Sequence, residues 1–236
     1  TTGVAKGAML THANMIANMQ QVGAWVTLSL DRGQEVAIAA LPLYHIFSLT
    51  ACAMVFMRIG AHSVLVTNPR DMPEFVKILK SVPFSILPGV NTLFNGLLNT
   101  PGFEQLDFSH LKVTLGGGMA VQRAVAEKWK QVTGCTLAEA YGLTETSPGV
   151  CINPLDLKDY NGSIGLPLPS TDVCVKDDAG KVLATGEIGE LCVKGPQVMK
   201  GYWQRPEETA KVIDGDGWLH TGDMARMDER GYFYIV

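Results

Sequence analysis

Five consecutive residues, 141–145 (YGLTE), combine the side chains that a phosphate-handling site needs. The ring of Tyr141 can lie against a nucleotide base, and Gly142 lets the backbone approach a ligand closely. Thr144 can donate to a phosphate oxygen, and Glu145 can bind Mg²⁺, which prefers carboxylate and phosphate oxygens. An ordinary turn before a helix explains the same five residues equally well, so the rest of the chain must decide.

Three other stretches offer similar chemistry. Residues 1–7 (TTGVAKG) could cradle phosphates with backbone N–H groups, hydroxyls and Lys6, or could be a flexible terminus. The glycines at 116–118 could lie flat along a base or an acyl chain, or form a tight turn between a strand and a helix. Asp223, which ends the TGD run at 221–223, could accept from both hydroxyls of a ribose, or form an Asp turn.

His45 is a polar residue within an apolar run, PLYHIF at 42–47. A hydrogen-bonded histidine of the core is the simpler interpretation. The alternative is a residue that lines a pocket for an apolar substrate. No Ser/His/Asp or Cys/His grouping stands out, so the sequence does not predict a covalent protein intermediate.

Composition narrows the class of protein. The 236 residues are 47% hydrophobic and 18% charged, which is typical of a globular chain, and the net charge is only −4. No Lys/Arg run is present, so nucleic acid is not an expected partner. The five cysteines include no Cys-x-x-Cys, and the histidines show no metal-ligand spacing, which favours free thiols in a reducing, cytoplasmic compartment.

The elements that must position these residues alternate between strands and helices. The first helix should begin after Thr11 and run to about residue 22, with Met15, Ile16, Met19 and Val22 on its apolar face. Strands are predicted at 36–41, 63–67, 84–87, 111–115 and 136–140. Helices are predicted between them at 46–57, from Asp71 onward, at 92–98 and at 121–132. This alternation predicts a mostly parallel sheet with flanking helices, whose ligands bind beyond the carboxyl ends of the strands.

The pattern changes after about residue 153, where prolines and glycines separate short β-rich runs at 173–176, 190–194 and 231–236. The expected fold is therefore α/β: a mostly parallel sheet with flanking helices, followed by a small antiparallel β-barrel-like subdomain. We divide the chain into the end of a subdomain with a phosphate loop (1–34), an α/β subdomain (35–155) and a β-rich subdomain (156–236).

One run, 36–57, carries no formal charge and is long enough to span a bilayer. Pro42, Tyr44 and His45 interrupt it, so a strand followed by a buried helix is the better interpretation. The chain begins in a turn-like segment and stops within an apolar strand pattern. We therefore expect a fragment of a longer protein.

Taken together and in this order, these stretches resemble the acyl-adenylate-forming (AMP-binding) superfamily, and within it most closely the bacterial long-chain fatty-acid–CoA ligases. TTGVAKG is similar to the end of its phosphate loop, YGLTE to its adenylate motif and TGD to its ribose motif. The run from Asp216, DGWLHTGDMARMDERGYFYIV, resembles the signature of fatty acyl-CoA synthetases. PLYHIF, GGGMAV and GPQVMKGYWQRPEET fit as well.

The resemblance implies that a fatty acid is activated by ATP to acyl-AMP and then transferred to CoA, with Mg²⁺ as the metal. Its implied catalytic residues are Thr144 and Glu145, with Glu145 as the metal ligand. The implied nucleotide-binding residues are Thr1, Thr2, Gly3, Lys6, Gly116, Gly117, Gly118, Tyr141, Gly142, Thr144 and Asp223. His45 and Phe47 would line the acyl site.

Two departures from the family pattern matter. Ala5 stands where the phosphate loop has proline, and Ala140 where many relatives have glycine before the tyrosine. The family's N-terminal subdomain and its C-terminal domain with the adenylation lysine are not in this chain, so the chain alone should be inactive. Another adenylate-forming enzyme (an aryl- or medium-chain CoA ligase, or a luciferase-like enzyme) and a non-catalytic nucleotide-binding module stay open as alternatives. Acyl chain length, peripheral membrane association at the inner face and homodimerisation also stay open.

Overall fold

A seven-stranded sheet organises the first two thirds of the molecule. The structure, a computed structural model, describes residues 5–236. In this part of the chain the strand order is β2-β1-β3-β4-β5-β6-β7, with the first five strands parallel and the last two antiparallel. The strands are β1 (Val36–Ala39), β2 (His62–Leu65), β3 (Ile86–Gly89), β4 (Val113–Gly116), β5 (Leu137–Gly142), β6 (Gly149–Ile152) and β7 (Leu166–Pro167).

Helices cover both faces of this sheet. They are α1 (His12–Val26), α2 (Ile46–Ser48), α3 (Val55–Ile59), α4 (Met72–Lys80), α5 (Asn91–Leu98) and α6 (Arg123–Thr133). Adjacent strand residues point to opposite, equally buried faces: Ile38 packs into the cluster under α4, α5 and α6, and Ala37 into the cluster under α1 and α3. Burial on both faces is why these strands are nearly continuously apolar in sequence.

The second sheet is antiparallel and follows the first. Its order is β11-β10-β9-β8, with β8 at Asp172–Lys176, β9 at Gly189–Lys194, β10 at Leu219–Met227 and β11 at Phe233–Ile235. A short helix, α7 (Pro206–Val212), precedes β10. The inner face of this sheet packs Val175, Leu191 and Phe233 against the β6 residues Val150 and Cys151. The predicted α/β fold with a following antiparallel β part is confirmed.

The first helix differs from its prediction on the buried face. Thr11 caps α1 as predicted, since its side chain accepts from the Asn14 N–H. Ile16, however, is 46% exposed, whereas Asn18 and Gln21 are buried. Asn18 exchanges two hydrogen bonds with the backbone of Gly149, at 2.8 and 2.9 Å. The helix therefore meets backbone polar groups on its inner side, and an apolar side chain at position 18 would remove both of these hydrogen bonds.

The uncharged run at 36–57 is a strand followed by helix, as predicted. The helix is not regular: a π-helical segment, Leu49–Met54, separates α2 from α3. Thr50 in that segment donates to the Ser147 carbonyl at 3.0 Å, which ties it to the loop after β5. Among residues 5–236, no helix combines the length and apolarity needed to cross a bilayer.

Candidate functional site

A cavity of about 640 Å³ lies between the two sheets. One side is formed by the carboxyl ends of β4 and β5, and the other by β9 and β10. The α1 and α2 region supplies an apolar wall, and Lys6, Tyr202 and α7 residues close one edge. The lining includes Lys6, Val22, His45, Phe47, Gly117, Gly118, Tyr141, Gly142, Thr144, Glu145, Glu190, Tyr202, His220, Thr221 and Gly222.

Strand β5 changes partners immediately before the YGLTE stretch. It pairs in parallel with β4 as far as Glu139 and antiparallel with β6 from Ala140 onward. Gly142 faces the returning chain so closely that a Cβ atom there would lie 2.1 Å from the Pro148 carbonyl oxygen. Only glycine fits this contact, so the residue is required by the backbone path itself.

Tyr141 and Asp223 link the two sheets across the site. The Tyr141 hydroxyl donates to Asp223 Oδ2 at 2.5 Å. Burial, with a further contribution from the Asp223 hydrogen bond, raises the pKa of Tyr141 well above its usual range, so the phenol stays neutral and donates. Asp223 does not itself line the cavity in this structure. It lies next to the lining residues and contacts Tyr141 through this hydrogen bond.

Thr144 and Glu145 follow on the same loop. Thr144 is exposed to the cavity, and Glu145 is half-buried. Glu145 Oε1 accepts from the Tyr202 hydroxyl at 2.6 Å, and the Glu145 carbonyl accepts from the Met199 N–H at 2.8 Å. Burial, followed by the hydrogen bond to Glu145, raises the pKa of Tyr202, which therefore remains a donor. Sequence reasoning missed Tyr202, whose single signal was its place in the GPQVMKGYWQRPEET run.

Lys6 lies beside Tyr202 and lines the same cavity. Its Nζ is 4.7 Å from the centroid of the Tyr202 ring and 3.7 Å from Glu208 Oε2. The other predicted members of the phosphate loop, Thr1, Thr2 and Gly3, lie outside the described residues.

The three glycines at 116–118 do different things. Gly116 is buried at the end of β4, where a Cβ would lie 2.6 Å from Val121 and 2.7 Å from Leu137, and it does not line the cavity. Gly117 lines the cavity against the Phe47 ring, 3.1 Å from where its Cβ would be. Gly118 lines it too, with φ at +74°, a value that favours glycine.

The default interpretation of His45 as a core residue is wrong, because His45 is exposed at the cavity rim. Its Nδ1 accepts from the Phe47 N–H at 3.2 Å and so caps α2. The polar side chain of His45 caps the start of α2, which explains why a polar residue interrupts the apolar run. Phe47 is half-buried and faces the same cavity.

The TGD run lies within β10, at an irregularity in its pairing with β9. Gly222 has φ at +79°. Its N–H donates to Glu190 Oε1 at 2.9 Å, while the Asp223 N–H donates to the Thr221 hydroxyl at 3.1 Å. Sequence reasoning missed Glu190, His220 and Thr221 as lining residues. Their signal is weak, because polar residues on alternate strand positions usually face solvent.

The fold and the cavity define an α/β protein whose small-molecule site lies at strand ends and is closed by a second sheet. The chain belongs to the AMP-binding enzyme family, whose model matches residues 1–203.

Individual relatives agree with that assignment. The chain is 57% identical over 236 residues to a long-chain-fatty-acid–CoA ligase of Salmonella typhimurium, and 35% identical over 238 residues to a feruloyl-CoA synthase of an Amycolatopsis species. All of this chain is covered, but only 42% and 47% of those proteins. ATP-bound MatB from Rhodopseudomonas palustris superposes with a TM-score of 0.89 at 33% identity, over 99% of this chain and 45% of that one.

Proposed function

We propose that this chain supplies the adenylate-binding part of an enzyme that activates a long-chain fatty acid with ATP and transfers it to CoA. The observation that carries the proposal is the meeting of the YGLTE loop, the 117–118 glycines and the TGD turn around one cavity, in a chain 57% identical to a long-chain-fatty-acid–CoA ligase. The whole activity would require the remainder of such a protein, since the chain spans 42% of that relative.

The proposed first step is attack of the fatty acid carboxylate on the α-phosphorus of ATP, which releases pyrophosphate. The second is displacement of AMP by the thiol of CoA. Such chemistry depends on positioning and on neutralising phosphate charge, so it needs no protein nucleophile. We assign the phosphate contact to Thr144 and Lys6, which both line the cavity and carry donors.

The adenosine half would lie against Tyr141 and the 117–118 backbone. We assign ribose binding to Asp223, whose carboxylate accepts a hydrogen bond from the Tyr141 hydroxyl. A ribose would compete with or extend that bond, since a carboxylate oxygen accepts more than one donor. The apolar wall that contains Val22 and Phe47 would bind the start of the acyl chain, with His45 at its rim.

Glu145 is suited to bind Mg²⁺ as a carboxylate ligand. Glu145 lines the cavity, and its Oε1 accepts from the Tyr202 hydroxyl. Mg²⁺ characteristically binds one or two carboxylates together with substrate phosphates. The ion would neutralise charge on the phosphates, while Tyr202 holds the Glu145 carboxylate in place.

We also propose a reducing, cytoplasmic location. Five free cysteines, of which Cys52, Cys151 and Cys192 are buried, support it because thiols persist in that compartment.

The test uses a chimeric ligase: the Salmonella typhimurium protein with its matching region replaced by this chain. We expect it to form palmitoyl-CoA only when ATP, Mg²⁺ and CoA are all present. Failure of a correctly folded chimera to release pyrophosphate with any fatty acid would overturn the proposal.

A second candidate is an aryl-CoA ligase, favoured by the 35% identity to a feruloyl-CoA synthase and by the aromatic side chain of Phe47 in the apolar wall. Competition between palmitate and ferulate in the chimeric ligase separates the two. Preference for palmitate by tenfold or more supports the fatty acid, and the reverse preference supports the aryl acid.

A further inference from the structure

The face of the second sheet that is turned away from β6 carries two thiols and an imidazole. In the register of the strands, Cys174 lies opposite Cys192, and Cys192 lies opposite His220. Glu190 precedes Cys192 by two residues and therefore points to the same face. The opposite face of β8 and β9 is apolar core, so these polar residues are grouped by the strand alternation.

The ligating atoms of three of these residues converge. His220 Nδ1 lies 2.7 Å from Glu190 Oε2 and 3.5 Å from Cys192 Sγ. All three atoms lie within 4.8 Å of one another. Cys192 is buried, whereas Glu190 and His220 also line the large cavity, which leaves one side of the group open to it.

Asp214 orients the imidazole of His220. His220 Nε2 lies 3.4 Å from Asp214 Oδ2. Asp214 is in turn held by the Trp218 N–H at 2.9 Å, the Asp216 N–H at 3.0 Å and Lys176 Nζ at 3.0 Å. A metal-binding histidine nearly always donates its other ring nitrogen to a carboxylate or carbonyl in this way.

We propose that Glu190, Cys192 and His220 form a binding site for a borderline transition-metal ion such as Zn²⁺. Thiolate, imidazole and carboxylate are all ligands of that ion, and three protein ligands leave a fourth position, here on the cavity side. The site is separate from the Mg²⁺ site proposed at Glu145, because Mg²⁺ takes oxygen ligands and not thiolate.

The charges balance when the ion enters. Cys192 gives up its thiol proton to solvent and binds as the thiolate, His220 binds through a deprotonated Nδ1, and its Nε2–H donates to Asp214. The thiolate and the Glu190 carboxylate then neutralise the two charges of the ion. Asp214 is already compensated by Lys176.

Titration of the purified chain with Co²⁺ tests the site, because a cobalt–thiolate bond gives a charge-transfer band in the near ultraviolet. We expect the band to saturate at one equivalent and to disappear when Zn²⁺ is added in competition. Cys192→Ser should abolish the band, and His220→Gln should weaken binding while the thiol remains. Asp214→Asn should weaken Co²⁺ binding by about 10- to 100-fold, because the carboxylate that orients His220 is lost.

The matched control is Cys135→Ser, a partly buried thiol beside Thr114 in the first sheet. It should keep the full band. Far-ultraviolet circular dichroism of each variant separates loss of the site from loss of the fold. A wild-type chain without the band, or a folded Cys192→Ser chain that retains it, would overturn the proposal. The titration uses no ATP or fatty acid, so its outcome is independent of the proposed function.

Discussion

The two walls of the cavity are built by different means. The wall at the end of β5 comes from five consecutive residues whose path is set by backbone contacts, such as that between Gly142 and Pro148. The opposite wall combines β9 and β10 residues about thirty positions apart, Glu190 and Gly222, joined by a side-chain hydrogen bond. The first wall is therefore encoded by neighbouring residues, whereas the second wall depends on the register in which β9 and β10 pair.

Two hydroxyl–carboxylate bonds hold the carboxylates around the cavity. Tyr141 of the first wall donates to Asp223 of the second, and Tyr202 donates to Glu145 of the first. Tyr202 lies at the edge of the cavity, between the two walls, so the first wall orients Asp223 and this edge orients Glu145. Substitutions at the two carboxylates should separate a role in chemistry from a role in binding.

The largest effect is expected at the first wall. In the chimeric ligase, Glu145→Gln should lower pyrophosphate release by about 100-fold or more while fatty acid binding stays unchanged, because a charged ligand is lost where phosphate charge develops. Exposed Glu104 supplies the control variant, Glu104→Gln. Pyrophosphate release within threefold of wild type would remove Glu145 from the proposed role.

The second wall should affect binding more than chemistry. Asp223→Ala should weaken ATP binding by about 10- to 150-fold, since hydrogen bonds to a charged group contribute about 1.5–3 kcal/mol. Tyr141→Phe keeps the Asp223 carboxylate and removes the hydroxyl that donates to it at 2.5 Å, so it should weaken ATP binding less than Asp223→Ala does. The measurement is titration with ATP and with 2′,3′-dideoxy-ATP. If Asp223→Ala still discriminates against the dideoxy compound as wild type does, Asp223 does not recognise the ribose.

A substitution at Gly116 tests whether all three glycines at 116–118 serve the ligand. Gly116→Ala should lower the free energy of unfolding by about 1–3 kcal/mol, because the added methyl overpacks Val121 and Leu137. AMP affinity of the folded fraction should not change. Gly215→Ala, with nothing within 4 Å of the new methyl, is the neutral control in the same urea titration. A loss of AMP affinity at unchanged stability would give Gly116 a direct binding role instead.

The smallest effect concerns Glu139, directly beneath the point where β5 changes partners. Burial raises the pKa of Glu139. The hydrogen bonds from the Val121 N–H at 3.1 Å and the Tyr160 hydroxyl at 3.0 Å lower it, but by less. A raised pKa in the folded state means that its stability contribution is present at acid pH and is lost as pH rises through the folded pKa. Relative to wild type, Glu139→Gln should therefore have a melting temperature that rises more, or falls less, as pH increases from 4 to 8. A mutant with the same pH dependence as wild type would contradict this.

Much of the architecture could be predicted because it follows local rules. The alternation of apolar strands and amphipathic helices predicted the parallel sheet, and Thr11 and Asp71 were correct helix caps. The division into residues 1–34, 35–155 and 156–236 stays a prediction, although β7 at Leu166–Pro167 still pairs with β6 of the first sheet. The site residues likewise stay predictions that the experiments above address.

The sequence by itself determined the order of the elements, the turn at Gly142 and the membership of the motifs in one family, since each depends on residues close together in the chain. The tertiary structure alone decided which distant side chains meet. The Tyr202–Glu145 bond joins residues 57 positions apart, and the Tyr141–Asp223 bond joins residues 82 apart. The Glu190, Cys192 and His220 group exists because two antiparallel strands pair in one particular register. Register depends on packing of the whole sheet, and no local pattern encodes it.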